Sequence, residues 1–114
     1  MIVASGDVAR ARAALTLACT QAAAGGAAHV FFHEDAVALF SAAPDADSAG
    51  RAARGLPDRH ALVALALETG VRLTVCQTGM ALNGLSFADM PAGVAAGGMM
   101  HMLSQLGEDR LIFA

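Results

Sequence analysis

The 114-residue sequence has no Lys, no Trp and no Tyr, and only two Cys, three Pro and five Phe. With no Lys and seven scattered Arg against ten acidic residues, the net charge is -3. Without a basic face to neutralise phosphates, a nucleic-acid partner is not expected. No apolar run reaches the ~20 residues that a membrane span needs, so no membrane association is expected either. The start, Met1-Ile2-Val3-Ala4-Ser5-Gly6-Asp7, lacks a basic segment and an A-x-A cleavage pattern, which argues against a signal peptide. Two cysteines make no disulfide framework and fit a reducing compartment. The expected location is the cytoplasm.

What the chain does have is hydrophobic bulk in small pieces. Hydrophobic residues make up 56% of it, with Ala and Gly prominent. Such a chain can pack closely but has few large anchors. A core this poor in aromatics is often completed by subunit contacts, so a homo-oligomer is expected. The length suits a single domain over residues 1–114.

Strand and helix signals alternate. Met1 to Ser5 reads as a strand, and Asp7 can cap a helix over Val8 to Ala24 that Gly25-Gly26 ends. Ala28 to Phe32 is a second strand, with a turn at His33-Glu34-Asp35 and a short helix from Ala36 to Phe40. Residues 41–55 lack apolar periodicity and read as a long, partly mobile loop. Pro57-Asp58 opens a helix to about Thr69 with Leu62, Leu65 and Ala66 on one face. Val71 to Val75 is the clearest strand, being β-branched and apolar. It leads into Cys76-Gln77-Thr78-Gly79-Met80 and a helix to about Asn83-Gly84. A weak strand at Gly93-Val94-Ala95 follows, then Gly97-Gly98 and a helix from Met99 to Leu106. Asp109 to Phe113 closes the chain as a strand. The pattern implies an α/β fold with a mostly parallel sheet covered on both faces.

In open parallel sheets, ligands sit beyond the carboxyl ends of the strands. Of the loops expected there, only Cys76-Gln77-Thr78-Gly79 holds a nucleophile stronger than a hydroxyl. A thiol between strand end and helix start faces unpaired backbone amides and the positive end of the helix dipole, which favour the thiolate. Thr78 and Gly79 supply amides, and Thr78 a hydroxyl, to stabilise a charged sulfur. A buried structural cysteine is the other reading that position allows. Cys19, inside the Ala-rich helix, reads as a small packing residue.

The remaining features each have a sharp and a plain reading. His33-Glu34-Asp35 supplies a base or cationic neighbour to Cys76, or simply forms a polar strand-end turn, the commoner use. Gly97-Gly98 is an anion nest, or the result of close helix–sheet packing, which is the preferred explanation. Five of the six Met lie between Met80 and Met102. They form an adaptable wall beside a reactive sulfur, or an interface between subunits, the simpler explanation. His60 and His101 read as surface or interface residues. With His29 and His33 they have no metal spacing, so no metal is expected. Ser5-Gly6-Asp7 lacks dinucleotide-loop spacing and no cofactor is expected. There is no nucleophile-elbow pattern for a serine hydrolase.

The run from Glu68 to Met80, with Gly84-Leu85, resembles the DsrE/DsrF-like family of sulfur-relay proteins, which includes TusD. Met90-Pro91-Ala92-Gly93-Val94, the Gly97-Gly98 helix start and the Asp109–Phe113 strand fit the same layout. The resemblance spans nearly the whole chain, and its distinctive part is the motif around Cys76. It implies a three-layer sandwich around a five-stranded, mostly parallel sheet in order 4-3-2-1-5, assembled as a trimer or hexamer. It also implies sulfur donor and acceptor proteins, as in tRNA thiolation or dissimilatory sulfur oxidation. By the resemblance, Cys76 carries sulfane sulfur as a persulfide; His33, Gln77, Thr78, Gly79, Gly97 and Gly98, at the strand ends around it, are the candidate substrate-binding residues. In that strand order His33 ends the strand beside Cys76, and neighbouring strands lie about 5 Å apart. The chain lacks the further C-terminal cysteine that some relatives carry. The alternative is a non-catalytic oligomeric binding or assembly module in which Cys76 is inert.

Overall fold

Asp7 marks the first change of direction in the chain. Its carboxylate accepts from the Arg10 amide at 2.9 Å, so the backbone leaves an extended strand and enters a helix. In the computed structural model, which describes residues 1–114, this strand-to-helix step recurs. The strands are β1 (Ile2–Val3), β2 (His29–Phe32), β3 (Arg72–Cys76) and β4 (Ala95–Gly97). The helices are α1 (Val8–Ala23), α2 (Ser48–Ala53), α3 (Arg59–Glu68), α4 (Gln77–Leu82) and α5 (Met99–Ser104). A 3-10 segment, Glu34–Phe40, follows β2, and a single 3-10 turn, Phe87–Asp89, precedes β4. No helix is long and apolar enough to cross a membrane.

All strand pairs are parallel, in the spatial order β1-β2-β3-β4. The sheet thus has four strands, not the five expected. The C-terminal segment does lie beside β1, but only as an isolated bridge between Ile2 and Phe113. The reason lies in β1, whose two residues offer too few free groups for a longer ladder. Ile2 donates to the Ile112 carbonyl at 2.8 Å and accepts from the Ala114 amide at 2.8 Å, and Ala4 donates to Ala114 at 3.3 Å. The weak strand expected at Gly93–Ala95 begins two residues later, because Gly93 has φ +97° and cannot continue an extended run.

Alternation along the strands sends side chains to two unequal faces. Val3, Val30, Phe32, Leu73 and Val75 join the main core with Ala11, Leu15 and Cys19 of α1 and Leu62, Val63 and Ala66 of α3. Val63, not Leu65, turns inward on α3, and Leu65 stays exposed. Cys19 packs as the small residue expected. The opposite face carries Ile2, Phe31 and Cys76, covered by Met102 and Met99 of α5. Helices therefore cover both faces, but the second cover is one short helix.

Residues 41–55 are not the featureless loop expected. Ser48–Ala53 is helical, tied down by Ser48 Oγ donating to Asp58 Oδ2 at 2.6 Å and Arg51 Nε donating to the Pro57 carbonyl at 2.9 Å. The Ser48 hydroxyl, then the Ala61 amide, hold the Asp58 carboxyl below the usual carboxylate range. The stretch before α2 is anchored by Arg59, which is buried in α3. Its Nε lies 3.2 Å from Asp45 Oδ1, and its guanidinium donates to the carbonyls of Leu39 and Ala43. Asp45 also lies 3.8 Å from Arg12 of α1, and Arg12 pairs with Asp47 at 3.1 Å. These contacts tie the 41–47 stretch to both α1 and α3.

Removing the Asp45 carboxylate leaves a buried guanidinium uncompensated, so Asp45→Ala destabilises the fold by about 3–5 kcal/mol, measured by urea unfolding. On the α5 face, the His29 ring bonds Thr74 Oγ1 at 2.8 Å. Burial, then Arg72 and the amino terminus, push His29 below its ordinary value of 6.5. The unfolded chain therefore binds the extra proton first. This contribution to stability is complete above pH 6.5 and is lost as pH falls below it toward the lowered folded value. The urea midpoint should fall over that range in the wild type and fall less steeply in His29→Gln.

Candidate functional site

Cys76 ends β3 and caps α4. Its backbone is still extended (φ -77°, ψ 137°), and its Sγ accepts from the Gly79 amide at 3.0 Å. A cap satisfied by sulfur is unusual, because oxygen side chains dominate that position. One consequence is electrostatic: an amide dipole points at the sulfur from 3.0 Å, in the orientation that stabilises negative charge there. The helix is only six residues long, so this local amide matters more than any long-range dipole.

Gly79 is required for a second reason. A Cβ at this position would lie 2.8 Å from the Glu34 carbonyl oxygen, 3.0 Å from Glu34 Cα and 2.4 Å from a Val37 methyl. The side chain could yield, but the backbone could not. The missing side chain therefore lets the 3-10 segment lie directly on α4. Glu34 is the one non-glycine residue with positive φ, at 44°, a conformation costing roughly 1–2 kcal/mol for an L-residue. The turn is held by Asn83 of the α4 C-cap, whose Nδ2 donates to the Glu34 carbonyl at 3.3 Å and the Gly79 carbonyl at 2.7 Å.

His33 immediately precedes that turn. Phe32 pairs with Val75 in the sheet, so His33 follows β2 level with Cys76, and Cys76 in turn pairs with Gly97 of β4. The three residues thus form one row along the carboxyl edge. The His33 ring stacks on Phe31 at a centroid distance of 6.3 Å, and Phe31 belongs to the cluster that contains Cys76. No hydrogen bond joins His33 to the sulfur. Its Nε2 lies 3.7 Å from Glu34 Oε1, while its buried Nδ1 has no partner. Gln77 and Thr78 are exposed at the start of α4, and their side chains make no hydrogen bond to Cys76. Gly97 is the last residue of β4 rather than part of a helix start, and Gly98 caps the six-residue α5.

The thiol is buried: Cys76 is 6% exposed and packs with Ile2, Phe31 and Met102. Met99 packs against the same cluster. Met80 and Met90 are in the main core, and Met100 is 87% exposed. The turn at His33-Glu34-Asp35 is where the sequence places it, but its left-handed backbone at Glu34 and the role of Asn83 in holding it are not read from the sequence. The available signal was an Asn just after a helix that begins with a glycine-containing turn. No group of three or more His, Cys, Asp or Glu clusters in metal-binding fashion.

Gly79→Ala should shift the Glu34 turn and cost about 1–3 kcal/mol, as overpacking does. Thermal unfolding would read the loss. Gly79→Ala combined with Glu34→Gly should recover part of it, since glycine lets the opposing backbone move freely.

A family model described as the DsrE/DsrF-like family matches residues 1–113. No curated protein matches the chain.

Proposed function

The chain belongs to the DsrE/DsrF-like family, generally associated with sulfur relay, and from that premise we propose that it carries sulfane sulfur as a persulfide on Cys76. The observation that supports this most directly is the Gly79 amide donating to Cys76 Sγ at 3.0 Å. A donor that stabilises charge on the thiolate also serves the terminal sulfur's attachment point. In the proposed step the Cys76 thiolate attacks the outer sulfur of a donor persulfide, R–S–SH. A new Cys76 S–S bond forms, the donor S–S bond breaks, and RS⁻ leaves. The transfer needs no external oxidant, because the outer sulfur changes partner without a net change in electrons.

His33, Gln77, Thr78 and the Gly79, Gly97 and Gly98 backbone would surround the incoming sulfur. His33 ends the neighbouring strand and has an unpartnered ring nitrogen, Nδ1, and Gln77 and Thr78 are accessible at the mouth of the turn. We further propose that the protein works in the cytoplasm as a homo-oligomer, trimer or hexamer, with protein donors and acceptors of sulfur. Exposed apolar side chains on α5 and after it, among them Met100, Leu103 and Phe113, favour assembly.

The burial of Cys76 favours a second reading, a binding or assembly module with an inert thiol. Access separates the two. If the thiol functions, α5 must open, and trimming its cover should expose the sulfur. Incubation with glutathione persulfide should add the mass of one sulfur atom to the wild type and to Cys19→Ser, and none to Cys76→Ser. Met102→Ala should alkylate at Cys76 several-fold faster with iodoacetamide than the wild type. No adduct in the wild type, or an adduct retained in Cys76→Ser, would sink the carrier reading.

A further inference from the structure

At the edge of the sheet away from Cys76, a cavity of about 580 Å³ opens between α1, the first residues of β2 and β3, and the chain after α5. That volume falls within the range of small-molecule sites. Its walls combine two features. Leu17 of α1, Met102 of α5 and Ile112 give an apolar side, and Arg72 and Arg110 give a cationic one.

The cations are unusual in this chain. The net charge is -3, yet two of its seven arginines line one hollow. The ion pairs of the protein involve Arg12, His33 and Arg59, so neither Arg72 nor Arg110 is neutralised by a carboxylate. Arg72 reaches only the neutral Gln105 amide oxygen, at 3.3 Å. Asp109 also lines the cavity, but it pairs with neither arginine. His29, on the same wall, is held toward its neutral form by burial and by Arg72, so the site does not acquire its positive character from histidine. Leu17 and Ile112 are 48% and 45% exposed, leaving apolar surface that a hydrocarbon tail would cover.

We propose that this cavity binds an amphiphilic carboxylate, with its head on Arg72 and Arg110 and its tail along Leu17, Met102 and Ile112. A guanidinium fork matches a carboxylate in shape and charge and gives charge-assisted hydrogen bonds. The inference does not depend on any chemistry at Cys76, which lies at the other end of β3.

Isothermal titration of the intact protein tests it, with sodium octanoate as probe and 1-octanol and sodium acetate as controls. Octanoate should bind saturably, while octanol lacks the head and acetate the tail, and both should bind much more weakly. The exposed side chains of Arg72 and Arg110 can be replaced without disturbing the core. Arg72→Gln/Arg110→Gln should weaken octanoate at least about tenfold, the loss expected on removing charged hydrogen bonds. Leu17→Gln, at an exposed helix position, should weaken octanoate but not acetate. Absence of octanoate binding, equal binding of octanol or acetate, or full affinity in a folded double arginine variant would overturn the proposal.

Discussion

The contact of Gly79 with the Glu34 turn is the constraint on which the carboxyl edge of this sheet depends. One residue without a side chain does two jobs within a few ångströms. Its amide holds the sulfur of Cys76 at 3.0 Å, and its bare Cα admits the backbone of Glu34. The first fixes where α4 begins. The second sets the path of the chain leaving β2, and so the position of His33. Asn83 bonds both carbonyls and couples the two jobs. A larger residue would drive the turn away from α4 and alter the surroundings of the sulfur at once, because its Cβ meets the Glu34 backbone while its amide holds Sγ.

The sequence made the alternation of elements legible wherever a boundary was enforced by local chemistry. Asp7 does cap the helix that follows it, the helix opened by Pro57-Asp58 does begin there, and the β-branched run before Cys76 is a strand. It failed where tertiary partners decide. Asp109–Phe113 has strand composition, but β1 is too short to accept it as a full partner. Residues 41–55 look polar and loose, yet Arg59 holds their first part through Asp45 and the Ala43 carbonyl. Arg59 stands in the same helical stripe as Leu62, Val63 and Ala66, and a charge in that stripe was the available sign of a buried anchor. In the candidate site, the position of Cys76 between strand and helix could be read directly. The left-handed Glu34 turn could not, because only the approach of α4 stabilises it.

The two faces of the sheet also answer different requirements. The face under α1 and α3 is continuous and holds most of the large buried side chains. It supplies the cohesion that a chain without Trp or Tyr must gather from Leu, Val, Phe and many Ala. The face under α5 contains four buried residues and carries the sulfur, the His29–Thr74 bond and one wall of the arginine cavity. Structural cohesion and chemical groups are thus separated on opposite sides of the strands. Loss of packing under α5 costs the protein little of its main core.

Because α5 has six residues and buries only Met102, it belongs to the part of the molecule that opens most cheaply. Its amides should exchange with solvent deuterium on a timescale set by detachment of that one segment, long before those of β2 and β3. Met102 anchors it over Cys76 and also walls the cavity at the far edge. A single flexible thioether side chain therefore belongs to two separate regions, so that a change at Met102 bears on both.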